Sequence, residues 1–480
     1  MPERTVVVVG GGLVGSLAAC YFAKRGWKVD LYEKRPDIRL SENAHLVENR
    51  SINLAISERG FSALRRLDPH LESAVKSLVV PMHGRMIHSR SGEQISQAYD
   101  VFGRHINSIG RSALIRLLLD AASEYPQVTL CFGHEFVDAD LDAGLVTVLD
   151  ARGERKRIQA DLIVGTDGAY SKVRQRMMTR VRMNYMQTYI EHGYCEFSMP
   201  PVDGDYAMDP NHLHIWPRGS FMLIALPNVD KTFTCTLFMP WAQFDQIESS
   251  GGIEAFFGAY FPDALKLMGR ETVRAEYASN PKGSLMYIKC TPYTYKGRVV
   301  ILGDSAHAMV PFYGQGMNCG FEDVEKLDEI MVNALSRVDG RSGNTSDLTD
   351  DELHRALDEY SRTRTEDAYA IVDLALENYV EMRSRVVDLA YLFRKHLEGL
   401  LHKIVPSRVI PLYTMVSFTS IPYSIVVRQW NRQTAWLRRA IWITATIAAA
   451  GTGVLLARRL GERASGIQWI AGALQHKNGK

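Results

Sequence analysis

The sequence predicts an α/β protein with a nucleotide-binding domain, an inserted antiparallel sheet, a C-terminal helical lobe and a C-terminal membrane helix. Three observations lead to this prediction. A β-branched run at residues 5–9 leads directly into a glycine-rich turn. Residues 190–290 alternate apolar and polar positions, which is typical of an antiparallel sheet with one covered face. Residues 440–457 are 18 consecutive uncharged positions between two pairs of arginines.

The glycine-rich turn has the spacing of a dinucleotide-binding site. Gly10, Gly12 and Gly15 form a G-x-G-x-x-G pattern between a strand and a helix, and Glu33 ends the next strand. Gly10 permits the tight turn, Gly12 lets the backbone approach a pyrophosphate, and Gly15 lets helix and strand pack closely. The helix N-terminus stabilises phosphate, and the Glu33 carboxylate can accept a hydrogen bond from a ribose hydroxyl. The opening β-α-β unit is therefore predicted to be of Rossmann type and to bind a dinucleotide.

A later turn points to a flavin dinucleotide. Gly303 and Asp304 follow a second β-branched strand, and glycines recur within residues 311–318. An aspartate at the end of a strand can hold the ribityl chain, and backbone N–H groups of a glycine-rich segment can polarise the pyrimidine end of a flavin. An ordinary Asx turn would produce the same Gly-Asp pair, so this pair does not identify the ligand by itself.

Composition and charge exclude several classes of protein. With 46% hydrophobic and 23% charged residues, the chain is neither disordered, collagen-like nor a polytopic membrane protein. Six scattered cysteines without a C-x-x-C pair argue against a zinc or iron–sulfur site and fit a reducing compartment. Residues 428–480 hold nine Lys or Arg and one acid, so their net charge is +8. Because the whole chain has a net charge of +2, residues 1–427 have a net charge of −6. We expect no metal site and no nucleic-acid surface.

The C-terminal apolar run predicts a membrane anchor. As a helix, residues 440–457 would span about 27 Å, which is near the thickness of a bilayer core. A buried core helix is the alternative, because six alanines make the run only modestly apolar. Paired arginines at both ends favour the membrane. We expect no cleaved signal peptide, and we expect the rest of the chain to face the cytosol.

These patterns divide the chain into segments. We expect the nucleotide-binding domain to comprise residues 1–180 and 291–335, with an antiparallel-sheet substrate domain at 181–290, a disordered polar insertion at 336–352, a helical lobe over the substrate site at 353–427, and a basic tail at 428–480.

The motifs together resemble those of the single-component, class A, FAD-dependent aromatic hydroxylases. The early glycine turn, the segment 167–174 and the segment 303–307 with Pro311 match the spacing of that family over residues 5–330. A further set of segments is similar to the kynurenine-hydroxylating members, and this similarity extends to about residue 430: 51–55, 81–89, 204–208, 212–218, 312–318, 378–383 and 410–415. Eukaryotic members of this type end in an anchor in the mitochondrial outer membrane. The ER membrane is the alternative location.

The resemblance implies the reaction. NADPH would reduce a tightly bound FAD, and O₂ would then form a flavin hydroperoxide that hydroxylates L-kynurenine to 3-hydroxykynurenine, in tryptophan catabolism toward quinolinate and NAD. NADPH would dock transiently, since the sequence holds no second G-x-G-x-x-G. An arylamine ring is already activated, so we expect no catalytic acid or base, only positioning and exclusion of water. A flavin epoxidase, a prenyl-chain reductase and a non-enzymatic flavin scaffold are the alternatives.

The resemblance also implies the site residues. Arg85 and Tyr99 would hold the substrate carboxylate, for which a planar guanidinium fork and a phenol are suited. Asn378 and Tyr413 would meet the amino-acid end of the substrate. The substrate pocket would further contain Ile224, Leu226, Phe238, Phe312 and Tyr313, the last where relatives carry Phe or His. FAD would contact Gly10, Gly12, Val14, Gly15, Glu33, Arg35, Ala55, Arg111, Phe136 (through its backbone), Asp304, Gln315, Met317 and Asn318.

Overall fold

The strand at the start of the chain lies in the interior of a six-stranded sheet. In a computed structural model, the described residues are 4–40, 53–247, 249, 251–336, 343–384, 386 and 388–477. They divide into two units, residues 1–424 and residues 425–480. The strands are β1 (Thr5–Val9), β2 (Lys28–Glu33), β3 (Leu54–Ile56), β4 (Val80–Met82), β5 (Gly84–His88), β6 (Gln94–Ala98), β7 (Ile106–Ile109), β8 (Val128–Phe132), β9 (Glu135–Asp140), β10 (Leu145–Leu149), β11 (Arg155–Gln159), β12 (Leu162–Gly165), β13 (Asn184–Met199), β14 (His212–Pro217), β15 (Met222–Pro227), β16 (Phe233–Pro240), β17 (Gly283–Thr291), β18 (Thr294–Tyr295) and β19 (Val299–Ile301).

The helices lie between these strands and make up most of the C-terminal part. They are α1 (Leu13–Lys24), α2 (Glu58–Leu67), α3 (Pro69–Lys76), α4 (Arg111–Ser123), α5 (Lys172–Met178), α6 (Trp241–Ile247), α7 (Gly252–Tyr260), α8 (Pro262–Met268), α9 (Arg270–Ser279), α10 (Asp304–His307), α11 (Gly316–Ser336), α12 (Asp350–Arg383), α13 (Leu389–Ile404), α14 (Leu412–Ser417) and α15 (Tyr423–Lys477).

The six-stranded sheet confirms the predicted Rossmann-type unit. Its order is β18-β19-β12-β1-β2-β8, and every neighbouring pair is parallel except β18 with β19. The valines of β1 are buried, as expected for a parallel strand covered on both faces. The carboxyl ends of β1, β2, β12 and β19 therefore lie along one edge, which is where ligands bind in sheets of this type.

The predicted antiparallel sheet is present and is larger than predicted. Its order is β17-β13-β16-β15-β14-β5-β6. Strands β5 and β6 come from residues 84–98, and β5 pairs with β14 in parallel. The division into domains thus remains a prediction, because residues 1–180 contribute strands to both large sheets. The sequence pattern did not predict helices α6–α9, which pack with this sheet around a second apolar core that includes Trp216, Phe257 and Phe261.

Residues 336–352 were predicted to be disordered, and this prediction is wrong for their second half. Residues 337–342 lie outside the described part of the chain, as do residues 51 and 52 of the segment 51–55. A 3₁₀ turn covers Thr345–Asp347, and the indole N–H of Trp27 donates to the Thr345 hydroxyl at 3.0 Å. Thr349 and Glu352 then form a capping box that begins α12. Ser, Thr and Asp favour helix caps as strongly as loops, so the polar composition misled the prediction.

The last helix contains the predicted anchor. Within α15, residues 423–458 are long and apolar enough to cross a membrane, and none of the most apolar window is buried. The predicted segment 440–457 lies inside this range. The helix begins directly after Pro422.

A buried ionic cluster joins α2 to α11 and to the segment before α15. Arg59 on α2 is fully buried, and it donates hydrogen bonds to the carboxylate of Glu322, to the Val416 carbonyl at 3.2 Å and to the Ile421 carbonyl. Arg364 on α12 also pairs with Glu322, at 2.8 Å. The cluster therefore ties residues 416–421 to the nucleotide-binding part of the chain.

Arg59→Ala should destabilise the protein strongly, because it leaves polar groups of this cluster buried without a partner. Loss of one partner of a buried ion pair costs about 3–5 kcal/mol. Arg65→Ala on the same helix is the control, because Arg65 is 46% exposed and a surface pair contributes about 0–1 kcal/mol. Urea unfolding followed by circular dichroism should show a much lower midpoint for Arg59→Ala only, and equal midpoints would contradict this account.

Candidate active site

A cavity of about 760 Å³ opens at the carboxyl edge of the six-stranded sheet. Its lining includes Val9 at the end of β1, the Gly10 turn, Glu33 at the end of β2, and Asp304 after β19. Segments far apart in sequence thus meet at the edge where the parallel strands end, as the glycine pattern predicted.

Glu33 is held in place by two backbone amides and an arginine. One carboxylate oxygen accepts from Gly11 N at 2.8 Å, and the other accepts from Arg35 N at 2.9 Å and Arg35 Nε at 2.8 Å. Burial acts to raise the pKa of Glu33, but the hydrogen bonds and charge of Arg35 outweigh it, so this pKa is lowered. Glu33 is therefore ionised at neutral pH and can accept from a hydroxyl in the cavity.

Two glycines of the first turn have different tasks. A Cβ on Gly15 would lie 1.9 Å from the Gly10 carbonyl oxygen, so the predicted close packing of helix and strand is present. A Cβ on Gly12 would meet no atom within 4 Å, and Gly12 lines the cavity. The absence of a side chain at Gly12 therefore keeps open the space in which a pyrophosphate would face the N-terminus of α1.

Most of the predicted cofactor residues line this cavity. They are Gly10, Gly12, Val14, Glu33, Arg35, Ala55, Arg111, Phe136, Asp304 and Met317. The Asp304 side chain is accessible through the cavity although protein surrounds it. Desolvation by the surrounding protein raises the pKa of Asp304, and the positive charge of Arg111 partly offsets this rise.

Three predicted cofactor residues do not line it, namely Gly15, Gln315 and Asn318. The Asn318 side chain accepts from Ser57 N at 2.9 Å and donates to the carbonyls of Ala55 and Gly314 at 2.7 and 2.8 Å. Gln315 accepts from the Tyr423 hydroxyl at 2.9 Å. These two side chains hold the walls of the cavity in place.

The prediction of site residues missed one side of this cavity. The turn after β12 contributes Thr166, Asp167 and Tyr170, and His134 contributes from the turn after β8. Both turns follow parallel strands of the six-stranded sheet. Their position directly after such strands is the sequence feature from which these residues could have been predicted. Asn53, which directly precedes β3 and lines the cavity, was also missed.

A second, small cavity of about 50 Å³ adjoins the first. Asn53, Ala55, Pro311 and Gly314 line both cavities. Eight of the nine predicted substrate residues line the second cavity: Arg85, Tyr99, Ile224, Leu226, Phe238, Phe312, Tyr313 and Tyr413. The ninth, Asn378, does not line it, but its amide donates to the Phe312 carbonyl at 2.7 Å and accepts from Arg85 Nη2 at 3.4 Å.

Arg85 and Tyr99 provide unused hydrogen-bond donors in this cavity. Arg85 Nη1 pairs with the Glu381 carboxylate at 2.7 Å, but Arg85 Nε and the Tyr99 hydroxyl are buried and make no hydrogen bond of normal length within the described residues. Burial raises the pKa of Tyr99 despite the nearby guanidinium, so the phenol keeps its proton. Buried donors are rarely left unpaired, so the pair is suited to an anionic group of a ligand.

The rest of the small cavity is aromatic and aliphatic. The ring of Tyr99 stacks on Tyr413 with centroids 4.7 Å apart, and Tyr413 stacks on Tyr313 at 5.7 Å. The Phe238 and Phe312 rings meet edge to face at 4.8 Å. The cavity therefore combines one polar end with walls that fit a flat ring.

The solved structures and the family model agree on the class of protein. Residues 3–375 match the family described as an FAD binding domain. The fold is similar to that of a 2-methyl-3-hydroxypyridine-5-carboxylic acid oxygenase, with a TM-score of 0.63 at 20% identity over 82% of this chain and 96% of that one. It is also similar to Pseudomonas aeruginosa PqsL, with a TM-score of 0.62 at 17% identity over 80% of this chain and 97% of that one. The family match and the fold therefore define an FAD-binding protein with the fold of these two structures.

The curated relatives narrow this class. The chain is 43% identical to a kynurenine 3-monooxygenase of Sus scrofa over 95% of this chain and 92% of that one. It is 45% identical to one of Anopheles gambiae (95% and 90%) and 43% identical to one of Yarrowia lipolytica (94% and 96%). The chain belongs to the kynurenine 3-monooxygenase family, which confirms the resemblance found in the sequence.

Alanine at Gly12 and at Gly15 should have different effects. Gly12→Ala should leave the thermal stability of the apoprotein unchanged and weaken FAD binding by about tenfold, if the added methyl group costs about 1–2 kcal/mol of overpacking against the dinucleotide. Gly15→Ala should lower the melting temperature, because its Cβ would clash with the backbone of Gly10. Flavin fluorescence titration and differential scanning calorimetry measure the two effects. Identical behaviour of both variants would argue against the separate roles.

Proposed function

We propose that this chain hydroxylates L-kynurenine to 3-hydroxykynurenine with FAD, NADPH and O₂, in tryptophan catabolism toward NAD. One observation carries the proposal: Arg85 Nε and the Tyr99 hydroxyl are buried and have no hydrogen-bond partner among the described residues, in a cavity with aromatic walls that adjoins the larger cavity. L-kynurenine has a carboxylate at one end and an arylamine ring at the other, which matches this arrangement. The names of the relatives point to the same substrate.

The residues of the larger cavity would bind FAD. When bound, FAD supplies the redox chemistry by which NADPH and O₂ provide one oxygen atom for transfer. The Glu33 carboxylate would accept from the adenosine ribose, Asp304 would hold the ribityl chain, and the backbone around Met317 would face the pyrimidine end of the ring. NADPH is a transient co-substrate.

The residues of the smaller cavity bind and orient the substrate. Arg85 Nε and the Tyr99 hydroxyl donate to the α-carboxylate, and Tyr413 meets the amino-acid end. Asn378, which was also expected there, lies outside the cavity and acts by holding Arg85 Nη2 in place. The aromatic ring lies among Ile224, Leu226, Phe238, Phe312 and Tyr313, on the side of the cavity that adjoins FAD. The substrate's own amino group activates its ring, so these residues accelerate the reaction by fixing the ring in place and by excluding water.

The polar end of the cavity favours a hydroxylase of a charged substrate over other activities known for flavoenzymes of the same fold. A flavin epoxidase or a prenyl-chain reductase acts on a hydrocarbon chain and has no use for a buried arginine with a free donor. The same donors argue against a scaffold that only carries a flavin.

We further propose that residues 440–457 anchor the chain in the mitochondrial outer membrane, with the rest of the chain facing the cytosol. The pairs Arg438–Arg439 and Arg458–Arg459 flank this segment, and the described apolar side chains within it, such as Trp442 and Val454, are exposed. The ER membrane is the alternative location. Location of the tagged full chain in fractionated cells tests this choice.

Arg85→Ala should raise the KM for L-kynurenine by about 10–100-fold, since a hydrogen bond to a charged group contributes about 1.5–3 kcal/mol. FAD should stay bound, because Arg85 does not line the larger cavity. Arg90→Ala is the matched control, as Arg90 is exposed just beyond the same strand. Steady-state formation of 3-hydroxykynurenine and the flavin absorbance of the purified variants measure both effects. Loss of flavin from Arg85→Ala, or an unchanged KM, would refute the role of Arg85.

A further inference from the structure

One face of α13 exposes a row of large apolar side chains. Phe393, Leu400 and Ile404 are 71%, 56% and 66% exposed. Their spacing of seven and four residues places them on one side of the helix, over a length of about 16 Å. A helix of a water-soluble protein normally turns such a row toward the core.

A neighbouring turn packs against another side of the same helix and exposes two more apolar side chains. The Phe102 ring contacts the His402 ring at 5.2 Å, and a Cβ on Gly399 would lie 3.3 Å from a methyl of Val101. Both Val101 and Phe102 are exposed. We define the apolar patch as the exposed row on α13 together with the residue that follows the helix: Phe393, Leu400, Ile404 and Val405. Soluble proteins seldom expose contiguous apolar surface without a partner for it.

Basic residues lie beside the apolar patch and beside the 101–102 turn. Lys403 and Arg408 are exposed next to Ile404 and Val405. The Arg104 guanidinium lies 5.8 Å from the centre of the Phe102 ring. Two nearby acids are buried and already paired, Asp100 with Arg104 and Glu398 with Arg394. An apolar helix face with a basic border is typical of a helix that lies in the headgroup region of an anionic bilayer.

The opposite side of α13 is fixed to the substrate site. The Tyr391 hydroxyl donates to the Glu381 oxygen that pairs with Arg85, at 2.8 Å, and Lys395 Nζ donates to Gln97 at 3.2 Å. The helix is therefore held by the protein on one side, and the apolar patch is the side that remains uncovered. A second copy packed face to face would bring two borders of like charge together, which disfavours a dimer through this surface.

We propose that the apolar patch docks on the surface of an anionic phospholipid bilayer. This contact is additional to the span proposed for residues 440–457, and it rests on the proposed membrane attachment of the chain. Phe393, Leu400 and Ile404 would enter the boundary between headgroups and acyl chains, and Lys403 and Arg408 would face lipid phosphates.

A fluorescent label at position 393 tests the docking. The full chain, loaded with FAD and carrying Phe393→Cys and Cys131→Ser, is labelled with an environment-sensitive dye, because the other five cysteines are buried. It is then reconstituted with vesicles of phosphatidylcholine and phosphatidylserine that contain a spin-labelled lipid. The dye should shift to the blue and be quenched several-fold more strongly than the same dye at Met178→Cys, an exposed position on α5 outside the patch.

The double substitution Leu400→Asp and Ile404→Asp should abolish quenching at position 393 while the protein still floats with the vesicles. Its kcat and KM in detergent should equal those of the parent, which shows that the substrate side of α13 is intact. Flotation without quenching at 393, quenching that survives the double substitution, or a dye buried in a dimer and shielded from lipid would each overturn the docking alone. Failure of the chain to bind vesicles at all would overturn both the docking and the proposed anchor.

Discussion

The carboxylate of Asp323 is the constraint on which both cavities depend. One oxygen accepts from Gly303 N at 2.8 Å and pairs with His307 at 2.6 Å, and the other accepts from Arg364 at 2.6 Å. Burial acts to raise the pKa of Asp323, but His307 and Arg364 outweigh it and lower this pKa. A buried carboxylate is tolerated only with such partners. Because Asp323 takes one partner from Gly303 and another from Arg364 on α12, it fixes the Gly303–Asp304 turn against α12. Cys319 lies in the same cluster, where Arg364 donates to its sulfur at 3.2 Å.

The two adjoining cavities divide the task of an aromatic hydroxylase. Residues that line both, such as Ala55 and Gly314, form the boundary at which a substrate ring and a flavin ring can meet. Arg85 and Tyr99 line only the smaller cavity, so a carboxylate bound to them would lie away from the flavin. Glu381 on α12 balances the charge of Arg85 and links it to Tyr391 on α13. Under the proposed function, this geometry would orient a charged substrate without placing a free charge beside the reacting ring.

Local patterns predicted the parts of the fold that local physics determines. The β1 strand, the Gly10 turn and Glu33 follow from spacing, because a dinucleotide site at the end of parallel strands needs those residue types. Arg85, Asn378 and Tyr413 come from β5, α12 and α14, and only the resemblance to a family indicated them, since no local pattern brings these segments together. Sequence reasoning missed Glu381, although it lies one turn after Asn378 on the same face of α12. The parallel pairing of β5 with β14 depends on tertiary packing, and no periodicity could have shown it.

The most direct test of the central claim is anaerobic reduction of the FAD-loaded protein by NADPH, followed by stopped-flow absorbance with and without L-kynurenine. If the smaller cavity holds L-kynurenine against the flavin, the substrate should accelerate reduction strongly, and admission of air should then yield 3-hydroxykynurenine. Fast reduction that is indifferent to L-kynurenine, with hydrogen peroxide as the only product, would contradict the assignment of the substrate while leaving the fold and the FAD site in place.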